Sequence, residues 1–153
     1  MALPTTTRFE NARFFVGDGA TTEVFTAICG MTQGELTITS NTGETVIPDC
    51  DIPTLPTAIV RDVISVDWSA SFEGVLAKAA LTQLEDLRAV GGARNVRIHV
   101  VGLGSGGATP DYRWSGPAIT TWAITGEKGG RLTVAFTIQG AGTLTGASVA
   151  ALA

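Results

Sequence analysis

The sequence predicts a mainly β fold with a single α-helix, on two observations. The first is period-two alternation in three stretches. In Asp62 to Phe72 the even positions Ile64, Val66, Trp68, Ala70 and Phe72 are apolar. Of the odd ones, Ser65, Asp67, Ser69 and Ser71 are short and polar. Arg131 to Gln139 repeats the layout, with Leu132, Val134, Phe136 and Ile138 against Arg131, Thr133, Ala135, Thr137 and Gln139. Glu35 to Thr39 does so again, with Leu36 and Ile38 against Glu35, Thr37 and Thr39. Side chains on a strand alternate faces, so each stretch has a core face and a polar face. The second observation is one segment with helical spacing, Leu76, Ala80, Leu84 and Leu87, closed by Gly91-Gly92. Glycine suits the left-handed position that ends a helix.

In chain order, residues 1–13 read as an extended arm, with Pro4 and a threonine run and little apolar periodicity. Phe14 to Val16 and Glu23 to Ile28 flank Gly17-Asp18-Gly19, a strand, turn and strand. Gln33 to Ser40 is the next strand. Residues 41–60 carry Pro48, Pro53 and Pro56, which cannot donate to a ladder, so this stretch is a long loop or hairpin. A short strand at Glu44 to Ile47 is expected to project within it. Val46, Ile47, Ile52 and Leu55 would be costly to leave wet, so the stretch is expected to lie on a neighbouring subunit. The helix, at about 75–90, should cover one face or end of the sheets. Arg94 to Val101 is a strand, and Gly102 to Asp111 a loop. Tyr112 to Thr125 is a strand expected to kink near Gly116-Pro117. Residues 141–153 form a tail of small residues, expected to order as a contact strand on assembly.

The chain has 153 residues, enough for one domain, and only 16% of them are charged, against roughly 25% in ordinary domains. Low charge without a membrane segment points to surface covered by partner subunits. A net charge of −4 argues against gripping nucleic acid through counterion release. Neither a membrane span nor a secretory signal is legible. Cys29 and Cys50 are far apart and read as free, buried thiols.

No catalytic, cofactor or metal site is expected. The one histidine, His99, falls on the polar side of its strand and reads as a surface residue. Gly102-Leu-Gly104-Ser-Gly106-Gly107 fits GxGxxG formally, but Ala-Thr-Pro110 follows where a dinucleotide site needs a helix N-terminus. The carboxylate neighbours Asp49 and Asp51, or Glu85 and Asp86, are not placed as an acid–base couple, and one His with two distant Cys makes no closed zinc site.

Tyr112-Arg-Trp114-Ser-Gly116-Pro-Ala118, then a Thr-rich strand, a glycine hairpin and LTVAFTIQGAGTLTG (Leu132 to Gly146), resembles the tail tube proteins of long-tailed bacteriophages. In that family a Trp-x-Gly-x-Ala segment precedes a strand ending in a Gln-Gly-x-Gly-like turn, here Gln139 to Gly142. Val66 to Gly74 (VDWSASFEG) followed by the single helix has the same look. The resemblance runs from about Phe14 to Gly146, and the glycine loop at 102–107 departs from it.

The resemblance implies a β-sandwich or barrel-like subunit with one flanking helix. It implies hexameric rings that stack into a hollow tube in the virion tail, made in the host cytoplasm and carrying DNA out of the capsid. Its implied partners are further copies of itself, a tape measure protein, a tail terminator and a distal tail protein, with DNA in transit, no cofactor and no membrane. In such a tube Glu35 and Asp67 are expected as acidic lumen residues, with Thr37, Ser69, Ser71, Thr133 and Thr137 as neutral lining. Thr42, Glu44, Val46, Ile47, Ile52 and Leu55 are expected at contacts between rings or subunits. The alternatives are a tube subunit of a gene-transfer particle, a ring-forming tube protein of a contractile secretion system, and a β-sandwich binding module, an adhesin or carbohydrate-binding domain. The binding module would want exposed aromatics, whereas Trp68, Trp114 and Trp122 all fall on apolar strand faces.

Overall fold

A computed structural model describes residues 6–48, 50–52 and 54–152. Eight strands and one helix follow in the order β1 (Ala12–Gly17), β2 (Phe25–Ala27), β3 (Met31–Ile47), β4 (Ala58–Val75), α1 (Lys78–Val90), β5 (Arg94–Val100), β6 (Asp111–Thr125), β7 (Thr133–Gly140) and β8 (Thr145–Val149). A 3-10 turn at Phe9–Asn11 precedes β1. All strand pairs are antiparallel, in the order β2-β1-β5-β6-β7-β4-β3, with β8 added beside β6.

The sheet folds over on itself. Three strands separate β1 from β4 in the sheet, yet the Phe14 ring of β1 sits 4.9 Å from Phe72 of β4 and 5.2 Å from Phe136 of β7. The long β6 makes the crossing possible. Its first half pairs with β5 and β8, its second half with β7, and Ala118 belongs to both ladders. Two half-sheets therefore face each other, β2-β1-β5-β6 and β6-β7-β4-β3, around Phe14, Trp68, Phe72, Val96, Phe136 and Ile138. This is the sandwich or barrel-like architecture that aligned inner faces produce. From α1, Ala80 and Leu84 enter the same core, and Gly91 ends the helix at φ 62° as expected from the glycine pair.

Several expectations need correction. The strand that enters residues 41–60 does not stop at Ser40. β3 and β4 stay paired from Met31↔Gly74 to Ile47↔Ala58, so the irregular part shrinks to the proline-bearing tip between them. Ile38, Ile64, Val66 and Leu132 were expected in the core, yet they are 53%, 74%, 62% and 53% exposed. β6 runs through Gly116-Pro117 without a break in register. Pro117 sits where β6 leaves β8 and takes up β7, and its carbonyl accepts the Ala141 N–H at 2.8 Å. A missing donor is tolerated at such a gap. The small-residue tail does not wait for a partner copy to become ordered, because its residues 145–149 pair with β6 of the same chain. Of the N-terminal arm, residues 1–5 lie outside the described residues and Ala12 already belongs to β1. Both cysteines are exposed rather than buried.

Candidate functional site

The half-sheet β6-β7-β4-β3 carries one polar face directed away from the core, and register shows which residues share it. Cross-strand rows run Gln33–Glu73–Ala135–Ala123, Glu35–Ser71–Thr137–Thr121 and Thr37–Ser69–Gln139–Ile119. Thr39–Asp67 lies beyond one end and Val75–Thr133–Thr125 beyond the other. Glu35, Thr37, Asp67, Ser69, Ser71, Thr133 and Thr137 therefore all stand on this single face. Ser69 and Thr133 are half-buried, the others exposed. The rows add Gln33, Glu73, Thr121 and Gln139. Gln139 already stood in the polar set of its stretch, and Glu73 was legible by taking the alternation of Asp62 to Phe72 one step further.

Glu35, Asp67 and Glu73 are the charged side chains of these rows, and no Lys or Arg stands among them. The polar groups largely satisfy one another. Gln33 Nε2 donates to Glu73 Oε2 at 2.8 Å, Thr37 Oγ1 to Glu35 Oε1 at 3.2 Å, and the Trp68 N–H to Asp67 Oδ1 at 2.8 Å. The result is a smooth acidic wall of short side chains whose donors are neutral hydroxyls and amides, with no cation to offer a phosphate. The corresponding outer face of the other half-sheet is cationic, with Arg13, Arg97 and Arg113 at alternating positions of β1, β5 and β6. Arg97 stacks on the Phe25 ring, 3.4 Å from its centroid. Burial and then the neighbouring Arg113 charge lower the Arg97 pKa, with Glu23 acting against them.

Beyond Ser69, β4 leaves β7 and pairs only with β3, forming a stalk with solvent on both sides. An extra residue on β4, Ile64, interrupts the register opposite Asn41 and Thr42. Its side chain lies over Gly43, where a Cβ would come 2.5 Å from Ile64 Cδ1. One face of the stalk then continues the core side of the sheet, through Ile38, Val66, Val63, Val46 and Ile59. Thr42 and Glu44 share this face, and Glu44 is bound to Arg61 at 2.7 Å. Ile47 points to the opposite face, and Ile52 and Leu55 belong to the tip. All six predicted contact residues are exposed.

A buried pair was missed from the sequence. His99 is not a surface residue: His99 and Asp111 are 4% and 1% exposed, and His99 Nε2 lies 2.8 Å from Asp111 Oδ2. Asp111 also accepts the Gly102 N–H at 3.0 Å and the Leu152 N–H at 3.1 Å. It thereby ties the end of β5, the glycine loop and the C-terminal segment together. The loop leads into strand β6 rather than a helix, and its Ser105 backbone N–H and hydroxyl meet Ser148 Oγ of β8. It is thus a structural turn and lacks the helix N-terminus of a dinucleotide site. The His99 bond and the Gly102 N–H hold the Asp111 carboxyl below the usual carboxylate range, against the opposing effect of burial. A depressed carboxylate pKa contributes stability that is full above the unfolded value and is lost as pH falls through the folded one. Thermal midpoints measured from pH 7 down to pH 3 should therefore fall on the acid side. Asp111→Asn should lower the midpoint at pH 7 and flatten that fall, and an unchanged acid profile would contradict this account.

Among the described residues there is no cluster of metal-ligating side chains, and no helix is long and apolar enough to cross a membrane. The family model described as phage tail tube protein matches residues 9–146. No curated protein matches the chain. Among solved structures, a chain of the native gene transfer agent virion is similar with a TM-score of 0.66 and 14% identity, over 92% of this chain and 98% of that one. The SPP1 tail tube is similar with a TM-score of 0.66 and 13% identity, over 95% and 81%. A chain of the anti-feeding prophage baseplate gives 0.60 and 12%, over 97% and 99%.

Proposed function

The chain belongs to the phage tail tube protein family, and on that premise we propose that it acts as a single domain whose copies close into hexameric rings and stack into a tube that conducts DNA. The role is structural rather than catalytic. The observation that carries the reading is the acidic Ser/Thr face of β6-β7-β4-β3, which ends in a free strand edge on either side. Among the described residues β3 pairs only with β4, and residues 119–125 of β6 pair only with β7. An exposed edge is a template for another chain, and joining β3 of one copy to β6 of the next would remove both edges around a ring. The tail of a gene transfer agent, a structural neighbour, was refined with C6 symmetry, which supports six copies for the ring proposed here.

Closed this way, the polar face becomes the lumen, with Glu35 and Asp67 as its charges and Thr37, Ser69, Ser71, Thr133 and Thr137 as neutral lining. Carboxylates repel phosphates, and a wall without cations releases no counterions on contact, so DNA slides rather than binds. The stalk and tip, through Thr42, Glu44, Val46, Ile47, Ile52 and Leu55, contact neighbouring copies. The location is the virion tail, after assembly in the host cytoplasm, with the tape measure, terminator and distal tail proteins as further partners. Negative-stain microscopy of the purified protein across concentration tests the reading. Rings or tubes of uniform width are expected, and a persistent monomer would overturn it.

A further inference from the structure

The stalk has two unlike faces, and one of them continues the acidic wall. Beyond Thr39–Asp67 the ladder adds Asn41–Ser65 and Gly43–Asp62 on the side that carries Glu35, Ser69 and Ser71. Asn41 Nδ2 donates to Ser65 Oγ at 3.1 Å, so these two short side chains satisfy each other. Asp62 is exposed and makes no salt bridge among the described residues. Past it the face turns apolar, with Val60 and Ile47 at 39% and 50% exposure.

The bulge at Ile64 is what brings Asp62 to this face. Asp62 is an even-numbered position, so in an unbroken strand it would share the side of Trp68 and Phe72. The extra residue shifts the alternation by one. Asp62 moves to the polar side, while Val63 and Ile59 move to the apolar side opposite Thr42 and Val46. Ile64 itself lies over Gly43, which has no side chain to obstruct it. Arg61 falls on the apolar side, where Glu44 holds it at 2.7 Å, so the wall stays free of cations as far as Asp62.

We propose that the channel wall extends past the body of the subunit along this face of the stalk, with Asp62 as a further lumen carboxylate. The inference rests on the tail tube reading and adds a residue to its lumen. Asp62 stands two rows beyond Asp67, about 13 Å along the strand. Glu73, Glu35, Asp67 and Asp62 thus mark a track of roughly 33 Å. The body alone would leave the joint between stacked rings without wall charge, whereas the stalk carries the repulsion of phosphates across it. The apolar side of the same stalk stays available for protein contact.

Two measurements test it. Tubes are assembled from Asp62→Cys, with Cys29→Ser and Cys50→Ser to remove the exposed native thiols, and treated with a maleimide. A small maleimide is expected to label the introduced thiol in tubes. One coupled to a folded carrier protein should label only unassembled subunits, a complete loss on assembly. Labelling of intact tubes by the carrier would put position 62 outside, and protection from both reagents would put it in a subunit contact. Either result overturns the proposal. Particles carrying Asp62→Lys should contain normal tails yet deliver DNA with an efficiency lowered by about threefold or more, since a cation on the wall retains phosphates. Full delivery would overturn the proposal, as would Asp62→Lys protein that is folded by circular dichroism but makes no tubes. Wild-type protein that forms no tubes would overturn the tail tube reading itself, so the two failures are distinguishable.

Discussion

Removing the stalk should leave a folded subunit that makes no tubes. Thr42 and Val63 face each other across the ladder, so deleting Gly43 to Asp62 and joining the ends with Asn-Gly keeps the remaining register and supplies a tight hairpin turn. The deleted segment gives little to the fold of its own chain. Val46, Ile47, Ile52, Leu55 and Ile59 are each about half exposed, and none belongs to the buried core. Covering such side chains in an assembly is worth roughly 1 kcal/mol each, so several per contact make a driving force on the order of 5 kcal/mol. The thermal midpoint of the shortened chain should therefore stay close to that of the wild type, while assembly is abolished or halts at single rings. Tubes of normal length from this variant would remove the stalk from the assembly mechanism.

Reversing the charge of the wall should spare assembly and block transport. Asp67→Lys with Glu35→Lys turns a face with three carboxylates into one with two ammonium groups and Glu73. Both positions are exposed and neither makes a salt bridge among the described residues, so folding should be unaffected. Cationic walls exchange counterions with DNA and retain it, an effect that multiplies with every phosphate contact. Particles carrying both changes should contain normal tails yet deliver DNA with an efficiency lowered by roughly tenfold or more. Full infectivity would count strongly against a lumen role for these residues.

The strand faces were legible because alternation is a local property. Ser69, Ser71, Thr133 and Thr137 were assigned to one wall from period two alone, and the ladders bring them side by side. What covers a face is not local. Val66 continues the same side as Trp68, but Trp68 is 3% exposed, its indole N–H bonded to the distant Gly142 carbonyl, and Val66 is 62% exposed. The Ile64 bulge is a second limit, since one inserted residue exchanges the faces of everything beyond it and nothing in VISV announces it. The prolines at 48, 53 and 56 marked an irregular segment correctly but overstated its length. Threonine, valine and isoleucine on both sides favour strand up to Ile47 and from Ala58. The His99–Asp111 pair spans 12 positions and joins a strand interior to the first residue of the next strand, a proximity that only the β5–β6 pairing creates. The C-terminal strand, Thr-Gly-Ala-Ser-Val, has too few large side chains for any periodicity to show.

The central claim is that the face built from Glu35, Thr37, Asp67, Ser69, Ser71, Thr133 and Thr137 encloses a channel made by several copies. A helical reconstruction of tubes assembled from the purified protein, at a resolution that traces side chains, tests it most directly. The account predicts these seven residues on the inner wall, with β3 of one copy hydrogen-bonded to residues 119–125 of its neighbour. Tubes in which this face lies on the outside, or is packed against a neighbouring subunit, would contradict it.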